Sequence, residues 1–246
     1  MRHGLPATPV GSLLIHPRDH DLVIGTLGRG LYLLDDIRPL RALAQDPGVA
    51  LSPLHLFPPP PAFLWAVPVG GEGRAALDGG RGTGQPRALG ALLTFWIGGA
   101  PGEDATARVE ILDLFGEVIR TLDVGVRAGL NRLAWDLRED VRGAEGIGED
   151  ADHSALPPPE VLPELHRVRV AFQGHSSTRD LEILPDPRVE ISLGDRLERQ
   201  RALRQGRELG AAFLRVKDRV LRLEAALATV EGAVGQQEDA GAQELR

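Results

Sequence analysis

"GTLGRGLYLLDDI", residues 25–37, places three glycines before an apolar run and ends it on two adjacent aspartates. A phosphate-binding loop would have to follow a strand and open a helix whose N-terminus meets the pyrophosphate. Here LYLLDD follows, too short and too β-like for that helix, and Pro39 comes soon after. Gly25, Gly28 and Gly30 therefore read as turn residues, and no nucleotide cofactor is expected. Working outward, the flanking chain reads as three short strands, Val10–Ile15, Asp21–Thr26 and Gly30–Asp35, separated by HPRDH and LGRG. Links of two to five residues leave no room for a helical crossover, so the strands are expected to form an antiparallel meander.

The chemistry-bearing residues in this stretch have plainer readings. Asp35 and Asp36 are neighbours on a strand and point to opposite faces, so they do not converge on one substrate atom. A strand-end turn or hydrogen-bonded cap is expected of them. His16 and His20 have an i, i+4 spacing that suits zinc on a helix, but Pro17 makes the segment a turn, where that spacing has no meaning. No metal site is expected.

The 246 residues suffice for one large or two smaller domains, and 42% hydrophobic content allows a substantial core. Thirty glycines and 19 prolines point to many turns, as in a β-rich protein. A net charge of −7 argues against binding nucleic acid, which needs a basic face. The chain has no cysteine, which excludes disulfides, thiolate metal sites and cysteine nucleophiles. Pro6, Pro9 and Gly11 interrupt the N-terminal segment where a signal peptide needs an unbroken apolar core. No ordinary export signal is expected in this chain. No run approaches the roughly 20 apolar residues of a membrane span, so no membrane partner is expected either.

From 36 to 87 the prolines at 39, 47, 53 and 58–61 and the glycines of GGEGRAALDGGRGTG predict little regular structure, with 70–87 a mobile linker. A second β region follows from about 88 to 184. ALLTFWIGG, ARVEILDL, EVIRTLDV, LNRLAWDLR, HRVRVAFQG and TRDLEILP each carry a short apolar or alternating run. Gly116 and Gly129 are expected in hairpin turns. Strands at this spacing suggest a small β-sandwich, with Trp135 in its core beside Leu133 and Leu137. Trp65 and Trp96 are expected as core or staple aromatics rather than a sugar platform. Residues 138–163 interrupt the region as an acidic, glycine- and proline-rich insertion. Its Glu145, Glu149, Asp150 and Asp152 lack the alternating ligand order of a calcium loop, so a solvated loop is expected. No Gly-x-Ser-x-Gly elbow and no convergent acid/base pair occurs, so no catalytic residue is assigned.

After Leu193 the period changes. Leu209, Phe213, Val216, Val220, Leu223, Leu227, Val230 and Val234 are spaced alternately four and three apart, a heptad seam over almost four repeats. A long amphipathic helix is expected, weakened or kinked near Gly206 and Gly210 and frayed over QQEDAGAQELR. Arg196, Arg199, Arg201, Arg204 and Arg207 are interspersed with Asp195, Glu198 and Glu208 and read as a solvated face. The seam is the feature that implies a partner, either a second copy or a helix of another protein.

Taken together, "PVGSLLIHPRDHDLVIGTLGRGLYLLDDIRPLRAL" resembles the last blade of large BNR or Asp-box repeat propeller proteins, relatives of the sortilin propeller often labelled glycosyl hydrolase-like. "ARVEILDLFGEVIRTLDVGVRAGLNRLAWDLR" is similar to the immunoglobulin-like module that follows the propeller there and to a domain of flagellar hook-capping proteins. Its Gly129, Asn131, Trp135 and Asp136 carry the more specific part of the likeness. "LPDPRVEISLGDRLERQRAL" resembles the junction leading into that family's terminal helical region. The chain departs from the family in having no Asp-box, in lacking the rest of the propeller, and in reading PELHR at Pro163–Arg167 where a Pro-Gly-x-Tyr turn is usual.

The resemblance implies a mainly β chain with a C-terminal helix, in four parts. These are a propeller-blade remnant over 1–57, a linker over 58–87, an immunoglobulin-like sandwich over 88–187 and an amphipathic helical region over 188–246. It implies the C-terminal part of a longer protein, a truncated or split gene product, with full-length relatives outside the cytoplasm as one possibility. The expected role is a non-catalytic accessory or interaction module without a cofactor, its partner a protein bound through the seam. The alternative is a fragment of a glycoside hydrolase or lyase whose active site lies mainly in other blades.

Overall fold

The computed structural model describes residues 7–65, 90–140 and 158–244. They fall into two compact units: one holds the described residues up to 139 together with 161–191, and the other holds 140, 158–160 and 192–244. The protein is mainly β, with three sheets, one of them a curled five-stranded sheet, and a long C-terminal helix.

In the first unit, β1 (Val10–Ile15), β2 (Leu22–Thr26) and β3 (Leu31–Leu34) form a three-stranded antiparallel meander. Its boundaries lie within one residue of those expected from HPRDH and LGRG. Gly28 and Gly30 have φ of +84° and +80°, so the LGRG link between β2 and β3 depends on glycine at both positions. The chain then forms α1 (Arg38–Gln45), a 3-10 turn (Pro47–Leu51) and two three-residue strands, β4 (Leu54–Leu56) and β5 (Ala62–Leu64).

These elements correct the expectation that residues 36–65 are irregular. Pro39 lies in the first turn of α1, where its missing N–H costs no hydrogen bond. Pro47 opens the 3-10 turn, and Pro53 and Pro58–Pro61 flank the two short strands instead of interrupting them. Both strands are at sheet edges, where proline neighbours are tolerated. The expected linker over 70–87 lies outside the described residues.

The remaining strands are β6 (Ala91–Ile97), β7 (Thr106–Leu112), β8 (Val118–Gly125), β9 (Gly129–Trp135), β10 (Leu165–Phe172) and β11 (His175–Pro185). They complete two sheets, ordered β5-β11-β10-β7-β8 and β4-β6-β9, antiparallel throughout except for the parallel β5–β11 pair. Alternation decides which residues face inward. Ala91, Leu93, Phe95 and Ile97 of β6, Ala107, Val109 and Ile111 of β7, and His166, Val168, Val170 and Phe172 of β10 are all buried. One hydrophobic core takes side chains from both sheets and includes Leu56, Trp135, Leu181 and Ile183. β4 and β5 therefore share this core with the strands that begin at residue 91.

In the second unit, α2 (Leu193–Glu244) runs 52 residues without interruption, roughly 78 Å at the α-helical rise. The expected weakening at Gly206 and Gly210 does not break it. Its N-terminus is capped by Ser192, whose Oγ accepts from Asp195 N–H at 3.1 Å and donates to the Asp195 carboxylate at 2.8 Å. Gln200 Nε2 donates to the Glu160 carbonyl at 3.2 Å, and Arg199 meets the Glu160 carboxylate at 3.3 Å. No described helix is long and apolar enough to cross a membrane.

Candidate interaction surfaces

The polar residues around the opening stretch are engaged in holding the backbone. Asp36 is 1% exposed at a φ of +40°, and its Oδ1 accepts from Arg38 N at 3.2 Å and Arg38 Nε at 2.6 Å. Its own N–H donates to Asp21 Oδ1 at 2.8 Å, and Ile37 N–H donates to the His20 carbonyl at 3.0 Å. Arg132 of β9 closes the exit of the meander by donating to the carbonyls of Asp35 and Asp36 at 2.7 and 2.6 Å. Asp36 thus makes the hydrogen-bonded turn that its position suggests, and Asp35 contributes backbone. His16 Nδ1 accepts from Asp19 N–H at 3.1 Å, and His20 N–H donates to the His16 carbonyl at 3.0 Å, so both histidines lie in a tight turn. Among the described residues, no group of three or more His, Asp or Glu side chains could hold a metal ion.

The meander itself is the unusual surface. Leu14, Val23 and Leu33 lie opposite one another across the three strands, and so do Leu13, Ile24 and Tyr32. Because side chains alternate, the first row lies on one face and the second on the other. Leu31 joins the first face; Ile15, Leu22 and Leu34 join the second. Of all these, Ile24 is the one buried residue, while Leu13, Leu14, Ile15, Leu31, Leu33 and Leu34 are 38–73% exposed. The signal for this surface was present in the sequence: LLI at 13–15 and LYLL at 31–34 are unbroken apolar runs, the mark of a strand buried on both sides.

The predicted seam on α2 is also bare. Leu209, Phe213, Val216, Val220, Leu223 and Leu227 are 47–74% exposed. Val230 and Val234 lie on the same helix, with side chains outside the described residues. The arginine run preceding the seam is engaged in part, as the Arg199 contact to Glu160 shows. Glu145, Glu149, Asp150 and Asp152 lie outside the described residues.

Trp135 is 1% exposed and donates from Nε1 to the Arg138 carbonyl at 3.0 Å. His166 packs edge-on against it, with ring centres 6.3 Å apart. Burial pushes the His166 pKa below its ordinary value, against weaker opposing effects from Glu164, Asp113 and Glu139. Trp65 stacks on Phe63 and lies under the Arg188 guanidinium, 5.1 Å from its ring centre, and Arg188 also pairs with Asp186. Trp65 is thus a staple at the exit of β11. An open depression of about 430 Å³ lies among Thr106, Arg108, Asp123, Phe172, His175 and Ser176. Its Arg108 and Asp123 are exposed and pair with each other at 3.2 Å.

One further exposed feature had no counterpart in the sequence reading. The β7–β8 turn projects Leu114 and Phe115, the latter 92% exposed, while Asp113 Oδ1 accepts from the N–H groups of Phe115 and Glu117 at 2.9 and 2.8 Å. No family model, curated protein or solved structure matches the chain.

Proposed function

We propose that the chain is a non-catalytic accessory and interaction module of a propeller protein. In this reading the meander is the remnant of a terminal blade and the two-sheet body is an immunoglobulin-like sandwich. The observation that carries it is the meander with apolar side chains exposed on both faces. A sheet made that way belongs between two other layers, and a ring of radially repeated sheets gives each of its members two such neighbours. Two further observations favour the rest of the reading. The buried Trp135 occupies a core filled from both sheets, as in sandwich domains. The Asp36 carboxylate is buried and held by Arg38, which favours a structural role for it over one in hydrolysis.

The test has a genetic and an enzymatic arm. Coding DNA immediately upstream, in the same frame, should specify further four-stranded repeats, and a frame without them removes the blade reading. Purified chain assayed on aryl glycosides should give no turnover. Turnover that disappears in Asp36→Asn would replace the accessory role with that of a hydrolase fragment.

A further inference from the structure

We propose that α2 pairs with α2 of a second copy of this chain as a parallel, in-register two-stranded coiled coil. This stands apart from the blade reading, because it rests on the helix alone. Along the seam Phe213, Val220, Leu227 and Val234 take the a positions of a heptad, and Leu209, Val216, Leu223 and Val230 take the d positions. The six whose side chains are described are exposed, so the stripe lacks a cover within the described chain. Burying such residues is the main drive for helices to associate.

The flanking charges identify the occupant. This register puts Lys217 and Glu224 at e and Arg219 at g. In a parallel in-register pair, each g residue meets the e residue five positions further along the other helix. Arg219 then faces Glu224 of the second copy, and the two-fold symmetry makes that contact twice. The neighbouring g–e contacts are Ala212 with Lys217 and Ala226 with Glu231, so no like charges meet. The remaining charges of this stretch, Arg215, Asp218 and Arg222, occupy outward positions, where Arg222 pairs with Asp218 of its own helix at 3.7 Å. The surface is therefore complementary to itself. An antiparallel pair overlaying the whole seam would instead put Lys217 opposite Glu224 and Arg219 opposite Ala226, and a thiol at a d position separates the two directions.

The full chain should sediment as a dimer at micromolar concentration, and Val220→Glu should be monomeric with its helical circular dichroism retained. Arg219→Glu places like charges together twice and should weaken the dimer about tenfold, while Arg219→Glu combined with Glu224→Arg should restore it. Because the chain has no cysteine, Val216→Cys supplies a single thiol at a d position. Mild oxidation should link it to its own counterpart in nearly all of the dimer. A wild type that stays monomeric with its helix intact overturns the proposal. So does a dimer that Val216→Cys fails to cross-link and Arg219→Glu leaves unchanged, since that result places the helices antiparallel.

Discussion

Asn131 shows at residue scale why a turn folds as it does. Its Oδ1 accepts from Arg127 N–H at 3.0 Å and its Nδ2 donates to the carbonyls of Arg127 and Gly129 at 2.7 and 3.0 Å, tying the β8–β9 turn into the end of the core. Four residues on, Trp135 fills that core, and Trp135→Ala should cost about 3–5 kcal/mol of stability as a large-to-small change. Urea denaturation measures this directly, and an unchanged midpoint would mean that the ring is not packed as observed. His166 beside it makes stability depend on pH. Burial holds its folded pKa below the ordinary 6.5, so on acidification the unfolded chain takes up a proton that the folded chain refuses. Stability is thus complete above that pH and falls below it, by up to about 1.4 kcal/mol per pH unit for one proton. His55, lowered by its own burial and by Arg179, acts in the same direction. His166→Gln should lose less stability than wild type between pH 7 and pH 5 in urea titrations. Equal losses would show that the imidazole titrates normally in the folded chain.

At the scale of elements, the sequence was legible where the apolar period was sustained. Six alternating runs between 91 and 185 became six strands, and the 4-3 spacing from Leu209 onward became one helix. It was opaque at β4 and β5, because three residues carry no readable period and the surrounding prolines suggested irregular chain. Gly206 and Gly210 misled in the opposite direction. Each costs roughly 1 kcal/mol in a helix interior, and neither interrupts α2. The β4 result has a consequence for boundaries. Leu56 is fully buried in the shared core, and its N–H donates to Ser177 Oγ of the facing sheet at 3.2 Å. A fragment spanning 52–191 should therefore fold, whereas 88–187 should be less stable by at least about 3 kcal/mol, given the loss of Leu56 and Phe57. Equal urea midpoints for the two fragments would show that β4 and β5 are dispensable.

At the scale of the whole molecule, the two longest stretches of exposed apolar side chains among the described residues are the meander and the seam of α2, while the core between the larger sheets is closed. Stability should be distributed in the same way, because local opening is cheapest where few apolar contacts are lost. The meander has hydrogen-bonded strands but, among the described residues, little covering most of either face, and its contact with the body includes the two bonds from Arg132 to the carbonyls at 35 and 36. In hydrogen exchange on the isolated chain, amides of Leu14, Val23 and Ile24 should exchange well before those of Val109, Val168 and Val170. Arg132→Ala should speed the meander further and leave the core strands unchanged. A hydrophobic dye that fluoresces on exposed apolar surface should bind the wild type, and Leu14→Ser with Leu33→Ser should reduce its signal by emptying one face. Meander amides as slow as those of the core would mean that both faces are already covered in solution. The sheet would then be a finished structural layer, and the surface that carries the proposed role would be gone.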